Sequence, residues 1–154
     1  MLLANSAGTW VGMNGFRFMP NDPLGEFPAS VIVTTAAGGY LTSVAYTWEH
    51  PDDGAQDGLL VIGSADEESS LVAIWGDSWH QKPAPMMLSG SRGTDGSLEL
   101  EGVYGGGWRW RVTVDASDAE SLRMQMDNVI PAEQATADIS DGPYPVMVMH
   151  TRRA

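Results

Sequence analysis

Apolar and polar residues alternate with period two along most of the chain, and the alternating stretches are short. Period two is the repeat of a β-strand with one buried face, whereas an amphipathic helix repeats every 3.6 residues. Clusters of glycine and proline separate the stretches at short intervals. The pattern predicts an all-β protein whose ten strands lie near residues 8–19, 29–36, 39–49, 58–63, 71–79, 86–92, 97–104, 107–114, 121–129 and 145–152.

Glycine-containing turns join the predicted strands. Residues that tolerate the positive φ of tight hairpin turns occur in Ala37-Gly38-Gly39, Asp52-Asp53-Gly54, Thr94-Asp95-Gly96 and Gly105-Gly106-Gly107. These turns favour antiparallel pairing of strands that follow one another in sequence. Residues 131–138 have a helix-like composition and predict one short helix before the last strand.

The hairpin around Gly106 distinguishes a barrel from a sandwich, which short strands also build. A symmetric register gives this hairpin one aromatic face, with the pairs Tyr104/Trp108 and Gly102/Trp110. The opposite face is charged, with the pairs Val103/Arg109 and Glu101/Arg111. One dry face and one wet face predict a single antiparallel up-and-down β-barrel, and no linker or repeat divides residues 1–154 into further domains.

The inward faces of the predicted strands mix bulky side chains with glycine and asparagine. Such a mixture leaves gaps inside a barrel, and gaps are where barrels hold ligands. Met86, Met124 and Met126 are expected inside, where thioethers adapt to different guests. The expected ligand-binding residues are Trp10, Asn14, Phe16, Tyr46, Trp75, Trp79, His80, Trp108, Trp110 and Met124. A well-filled barrel without a cavity is the alternative.

The chain is acidic, with 20 Asp and Glu against 8 Lys and Arg and a formal net charge of −12. Nucleic acids and anionic membranes are excluded as partners, because affinity for them rests on basic residues. The absence of cysteine excludes disulfides and thiol catalysis. No signal peptide or apolar membrane-spanning segment is recognised, so a cytoplasmic location is expected. The sequence leaves a homodimer open.

Gly8-Thr9-Trp10 resembles the Gly-x-Trp signature of the calycins, which include lipocalins and fatty-acid-binding proteins. In calycins an arginine of the last strand packs across that tryptophan, a role that the resemblance gives to Arg152 or Arg153. Residues 58–63, followed by Trp75-Gly76-Asp77-Ser78, resemble a bacterial family of lipocalin-like domains of unknown function. The resemblance implies a barrel that holds a small hydrophobic ligand.

Gly8-Thr9-Trp10-Val11-Gly12, together with His150, is similar to the nitrobindins. These ten-stranded barrels hold haem through a histidine on a late strand, so the resemblance implies haem as a cofactor and His150 as its axial ligand. Alternation that groups His150 with Val146 and Val148 places its ring inside the barrel. The alternative is a histidine near a strand end that is hydrogen-bonded to a neighbour or exposed to water.

Residues 75–83 form the densest polar and aromatic stretch of the chain. Asp77, Ser78 and His80 suggest a catalytic triad, but strand alternation places Asp77 on the face opposite the other two. A nucleophile needs its base within about 3 Å, so no catalytic residue is predicted. Two interpretations stay open: a cavity rim where Trp79 and His80 meet a ligand, or a structural corner where Asp77 accepts backbone amides.

Acidic residues surround His50, but a fixed set of metal ligands is not evident there, and no metal site is predicted. The leading hypothesis is therefore a module that binds a small hydrophobic molecule. A haem protein that acts on nitric oxide through His150 is the first alternative. The second is a cavity enzyme of the cyclase or isomerase type. Its discriminating observation would be a buried polar cluster with perturbed pKa values inside the cavity, involving Asn14, Tyr46 or Asp77.

Overall fold

The computed structural model describes residues 2–66 and 69–154. Within these ranges, ten antiparallel strands form a closed barrel in which sequence neighbours pair and the last strand pairs with the first. The strands are β1 (Gly8–Phe16), β2 (Gly25–Ala36), β3 (Leu41–His50), β4 (Gly54–Ser64), β5 (Ser70–Asp77), β6 (Gln81–Arg92), β7 (Leu98–Tyr104), β8 (Trp108–Asp115), β9 (Ser121–Ile130) and β10 (Gly142–Arg153). The predicted all-β, up-and-down barrel is confirmed.

Helical structure is limited to 3-10 turns in the described residues, at Ala4–Ser6, Ala37–Gly39, Gly105–Gly107 and Ala132–Gln134. The helix predicted over 131–138 is only the last of these turns. Thr136 explains its early end, because its hydroxyl oxygen accepts the amides of Asp138 and Ile139, which then do not continue a helix. No helix in residues 2–66 or 69–154 combines the length and apolar character needed to cross a membrane.

Four strands begin several residues earlier than predicted: β2 at Gly25, β4 at Gly54, β6 at Gln81 and β10 at Gly142. In β6 and β10 the added residues include prolines, which are accepted where the ladder is incomplete. β6 starts at Gln81 and includes Pro83 and Pro85, but its pairing with β7 covers only residues 89–92. Pro83 and Pro85 lie outside this pairing, so their missing N–H groups leave no hydrogen bond of the β6–β7 ladder unmade. β10 starts at Gly142 and contains an irregularity in its pairing with β9 between Pro145 and Met147.

The predicted register of the β7–β8 hairpin is confirmed, with Tyr104 opposite Trp108 and Gly102 opposite Trp110. Arg109 and Arg111 face outward as predicted. Their guanidinium nitrogens lie 2.8 and 3.2 Å from the Glu101 carboxylate oxygens. The ladder of charges is solvated, and each such pair contributes less than about 1 kcal/mol.

The barrel interior is packed with aromatic, aliphatic and methionine side chains. Met86, Met124 and Met126 are buried as predicted, and Met147 and Met149 join them. The prediction that His150 faces the interior is wrong, because β10 turns Met147, Met149 and Thr151 inward and leaves His150 exposed. Residues 146–149 are all apolar, so their alternation does not identify the buried face.

Arg153 covers one end of the barrel. Its guanidinium carbon lies 4.4 Å from the centroid of the buried Trp10 ring, which confirms the predicted contact and selects Arg153 over Arg152. The same guanidinium donates to the backbone carbonyls of Asn5, Ala7 and Ala119. These contacts attach the segment that precedes β1 and the β8–β9 turn to the final strand.

Arg153→Ala is expected to lower the free energy of unfolding by about 2 kcal/mol, since it removes a cation over an indole face and hydrogen bonds from a charged donor. Arg152→Ala is the matched control, because Arg152 is the exposed neighbour on the same strand. Its expected effect is under about 0.5 kcal/mol. Urea denaturation measures both, and equal losses would contradict the assigned role of Arg153.

Candidate ligand site inside the barrel

Asp77 is a buried carboxylate, 4% exposed, at the end of β5. Its Oδ2 atom accepts hydrogen bonds from the Tyr46 hydroxyl at 2.7 Å and from the Trp48 Nε1–H at 3.1 Å. Its Oδ1 atom accepts the backbone amides of Trp79 at 2.9 Å and His80 at 2.8 Å. The structural corner considered from the sequence is therefore present, and the carboxylate organises side chains from β3 as well as the turn after β5.

Gly58 allows Tyr46 to reach this carboxylate. The register places Tyr46 opposite Gly58 and Gly58 opposite Asp77, so the tyrosine must extend across β4. A Cβ atom on Gly58 would lie 2.2 Å from the Tyr46 hydroxyl and Cζ atoms, which is far inside van der Waals contact. The absence of a side chain at residue 58 is thus a condition for the Tyr46–Asp77 hydrogen bond.

The pKa values of Asp77 and Tyr46 are shifted in opposite directions. Burial tends to raise the pKa of Asp77, but the hydrogen bond and the electrostatic attraction of the His80 ring, with the His80 amide and the Tyr46 hydroxyl, hold it below its usual value. Burial raises the pKa of Tyr46 well above its ordinary value, and the negative charge of Asp77 adds to the effect. At neutral pH the pair is a carboxylate and a protonated phenol.

His80 lies over the same carboxylate, with its Nδ1 atom 3.2 Å from Asp77 Oδ1. An ionised carboxylate only accepts hydrogen bonds, so Nδ1 carries the proton. The expectation that alternation separates His80 from Asp77 is wrong, because the strand ends at Asp77 and a turn brings residue 80 back. Ser78 does lie apart from this pair, since its hydroxyl donates to Gln56 at 2.7 Å.

Four buried side-chain atoms in the described part of the chain have no hydrogen-bond partner: His80 Nε2, Trp110 Nε1, and the amide oxygen and nitrogen of Asn14. Asn14 is fully buried, Trp110 is 5% exposed, and the His80 side chain is 7% exposed. An unpaired buried polar group costs about 1 to 3 kcal/mol, so such a group signals a missing partner.

These residues lie towards the same end of the barrel. β1 and β5 run towards this end, and β8 begins there, so Phe16, Asp77 and Trp110 are close to it. The His80 ring is 5.2 Å from the Trp110 ring and 6.0 Å from the Phe16 ring, measured between centroids. Asn14 is the next inward position along β1 from Phe16. Trp10 and Arg153 close the opposite end.

Trp79 contacts the rings of both His80 and His50 at this end of the barrel. Its ring centroid is 4.8 Å from that of His80 and 4.7 Å from that of His50. An open pocket of about 460 Å³ begins at this point, and its walls include Phe16, Phe18, His50 and Trp79. We call this pocket the mouth. His50 also has a structural role, because its Nδ1 atom accepts the amides of Asp52 and Asp53 in the β3–β4 turn.

The structure brings together most of the expected ligand-binding residues. Phe16, Tyr46, Trp75, Trp79, His80 and Trp110 form one aromatic and polar cluster through ring contacts and hydrogen bonds. Asn14 lies deeper in the barrel. Met124 is buried on β9, opposite Met149, which is itself opposite Asn14. Trp10 is at the other end, and Trp108 is a partly buried residue beside Tyr104, with ring centroids 6.4 Å apart.

Trp48 and Asp77 belong to the site but were absent from the expected ligand-binding residues. Trp48 stacks on Phe16 with centroids 5.2 Å apart and contacts the His80 ring at 5.1 Å. The alternation that places Tyr46 inward also places Trp48 inward, so this signal was present in the sequence. His150 lies outside the site, and β10 therefore offers no histidine to a haem in the interior.

No protein-family model matches the chain, and a search of curated proteins finds no significant relative.

Proposed function

We propose that the chain is a calycin-like barrel that binds a small, mostly apolar and uncharged molecule inside its open end. The observation that carries the proposal is the set of buried polar atoms without partners on Asn14, His80 and Trp110. A guest that hydrogen-bonds to them would offset the cost of leaving these buried atoms unpaired.

The unpaired atoms indicate what the guest offers. Trp110 Nε1 can only donate, so it requires an acceptor. In the neutral imidazole of His80, Nδ1 holds the proton against Asp77, so Nε2 accepts and requires a donor. The Asn14 amide does both. A small aromatic or alicyclic molecule that carries a carbonyl oxygen and an O–H, N–H or activated C–H group meets these requirements.

The charge of the interior disfavours an anionic guest. Among residues 2–66 and 69–154 the buried polar and charged side chains are Ser6, Asn14, Thr42, His50, Asp77, Asp127 and Thr151, and none of these is lysine or arginine. An anion would therefore lose its hydration without gaining a basic partner, which is costly. A neutral guest avoids this penalty, and the aromatic rings around His80 supply apolar contact at about 25 cal/mol for each Å² removed from water.

The interior can adjust to a guest because methionines form much of its wall. The buried methionines are Met86, Met124, Met126, Met147 and Met149. Methionine has an unbranched and polarisable side chain that changes rotamer at low cost. The mouth, whose walls include Phe16 and Trp79, lies at this end of the barrel, and we propose it as the access route from solvent.

The other end of the barrel supports calycin-like membership. Gly8-Thr9-Trp10 opens β1, and Arg153 packs over Trp10 as in the calycin pattern. This end is closed by contacts within the chain, so ligand binding is assigned to the opposite end.

Trp110→Phe tests the proposal, because it removes Nε1–H and keeps an aromatic ring. Native mass spectrometry of the protein purified from its own source is expected to show a bound small molecule that this variant loses or holds at least tenfold more weakly, equivalent to about 1.4 kcal/mol. Trp108→Phe is the matched control and should retain the molecule. An empty wild-type barrel, or equal retention by both variants, contradicts the proposal.

A further inference from the structure

We infer that His80 is a general base that removes a proton from the neutral guest, with Asp77 as its positioning residue and Trp110 as the donor to the oxygen that gains charge. This inference rests on the proposed function, because it requires a guest in the same site. It adds an activity, proton transfer from carbon, to the binding.

The carboxylate of Asp77 prepares the imidazole for this role. The 3.2 Å contact with Nδ1 fixes the ring orientation and the tautomer, so Nε2 is the basic nitrogen of the neutral imidazole. The negative charge of Asp77 also stabilises the imidazolium that forms when Nε2 takes a proton. Since the side chain of Asp77 is fully buried, this interaction is not weakened by water.

The histidine ring is not the only group that holds the corner. Asp77 also accepts hydrogen bonds from two backbone amides, the Tyr46 hydroxyl and the Trp48 indole. The ring places a buried nitrogen without a partner among inward-facing aromatic side chains. Four aromatic rings surround the His80 ring at centroid distances of 4.8 to 6.0 Å and limit access of water to Nε2. They belong to Phe16, Trp48, Trp79 and Trp110.

A hydrogen-bond donor stands next to the base. Trp110 Nε1 is also buried and without a partner, and stacking on Trp75, at 5.0 Å and an interplanar angle of 12°, fixes the plane of its ring. A preorganised donor of this kind stabilises negative charge that develops on a carbonyl oxygen. Base and donor together define the chemistry of proton abstraction next to a carbonyl group.

The step balances without a further reactant. Nε2 takes the proton from carbon, the C–H electron pair forms a C=C bond, and the carbonyl π pair moves to the oxygen that Trp110 contacts. The imidazolium then returns the proton to another carbon or to the oxygen, and the guest leaves as an isomer. Nothing is oxidised or reduced, and the chemical class is tautomerisation or isomerisation of a neutral carbonyl compound.

The probe for the experiment is 5-nitrobenzisoxazole, a flat neutral molecule that reports a buried base. The base takes its C–H proton, the C–H pair forms a nitrile, the N–O bond breaks, and a coloured phenolate is released. The full chain is expected to show saturable turnover. His80→Gln should lower kcat about 100-fold, and tryptophan fluorescence should show probe affinity within about threefold of the wild type. His150→Gln, on the outer face, is the control and should leave kcat unchanged.

Two further measurements separate a base from a structural residue. Added imidazole should restore part of the turnover of His80→Ala, because a free base can enter the vacated space. Asp77→Asn should lower kcat with little change in KM. A wild type that binds the probe but turns it over no faster than free imidazole, or a His80→Gln variant with unchanged kcat, overturns the base assignment and leaves binding intact. A chain that binds neither the probe nor a native guest contradicts both proposals.

Discussion

Asp77→Ala is expected to lower the free energy of unfolding by about 4 kcal/mol. The substitution removes the acceptor for the Tyr46 hydroxyl, the Trp48 indole, two backbone amides and the His80 ring. Each buried donor left without a partner costs about 1 to 3 kcal/mol, and local relaxation recovers part of the total. Urea denaturation followed by tryptophan fluorescence measures the loss.

Asp57→Ala is the matched control, since Asp57 is an exposed acid on the neighbouring strand β4. It should change the free energy of unfolding by less than about 0.5 kcal/mol. A loss below about 1 kcal/mol in Asp77→Ala would mean that the carboxylate does not organise the corner.

The contribution of Asp77 to the free energy of unfolding also depends on pH. Its pKa is lower in the folded protein than the ordinary value of about 3.9, so ionisation stabilises the fold above that value. This stabilisation is lost as pH falls through the lower, folded-state pKa. The difference in stability between the wild type and Asp77→Asn should therefore be constant near neutral pH and shrink below about pH 4. A difference that grows on acidification would contradict the assigned shift.

Gly58→Ala is expected to lower the free energy of unfolding by about 3 kcal/mol. The added methyl group would lie 2.2 Å from the Tyr46 ring, so the ring must move and lose its hydrogen bond to Asp77. Overpacking of a core costs about 1 to 3 kcal/mol, and the unpaired hydroxyl adds to that cost. Denaturation measures the effect.

Gly76→Ala serves as its control, because a Cβ atom there would have its nearest neighbour at 3.8 Å, the Gln81 carbonyl oxygen. Both glycines are in strands, so they share the general cost of glycine in the unfolded chain. Gly76→Ala should be neutral within about 0.5 kcal/mol. If the two variants were equally stable, the close approach of Tyr46 to β4 would be refuted.

Alternation and turn chemistry were enough to predict the barrel. The β7–β8 register followed from the glycine turn and from the opposed aromatic and charged faces, because a shift by one residue would bury Arg109 and Arg111. The same reasoning failed at β10. There the apolar run 146–149 provides no contrast between faces, and His150 was assigned to the wrong one.

The site was predictable only in part. The high density of polar and aromatic residues in 75–83 indicated Trp79 and His80 as site residues. Alternation cannot predict the position of a residue beyond the end of a strand. The turn that returns His80 to Asp77 was therefore missed. The sequence could not predict, for a different reason, that the side chains of Asn14 and Trp110 have no hydrogen-bond partner. Their pairing depends on what faces each side chain across the barrel, and a single strand does not contain that information.

A crystal structure of the protein purified from its own source will show whether the barrel holds a guest. The predicted result is electron density for a molecule larger than water, with an acceptor within hydrogen-bond distance of Trp110 Nε1 and a polar or activated hydrogen directed at His80 Nε2. The contradictory result is an interior filled by side chains, with ordered water alone on Asn14, His80 and Trp110.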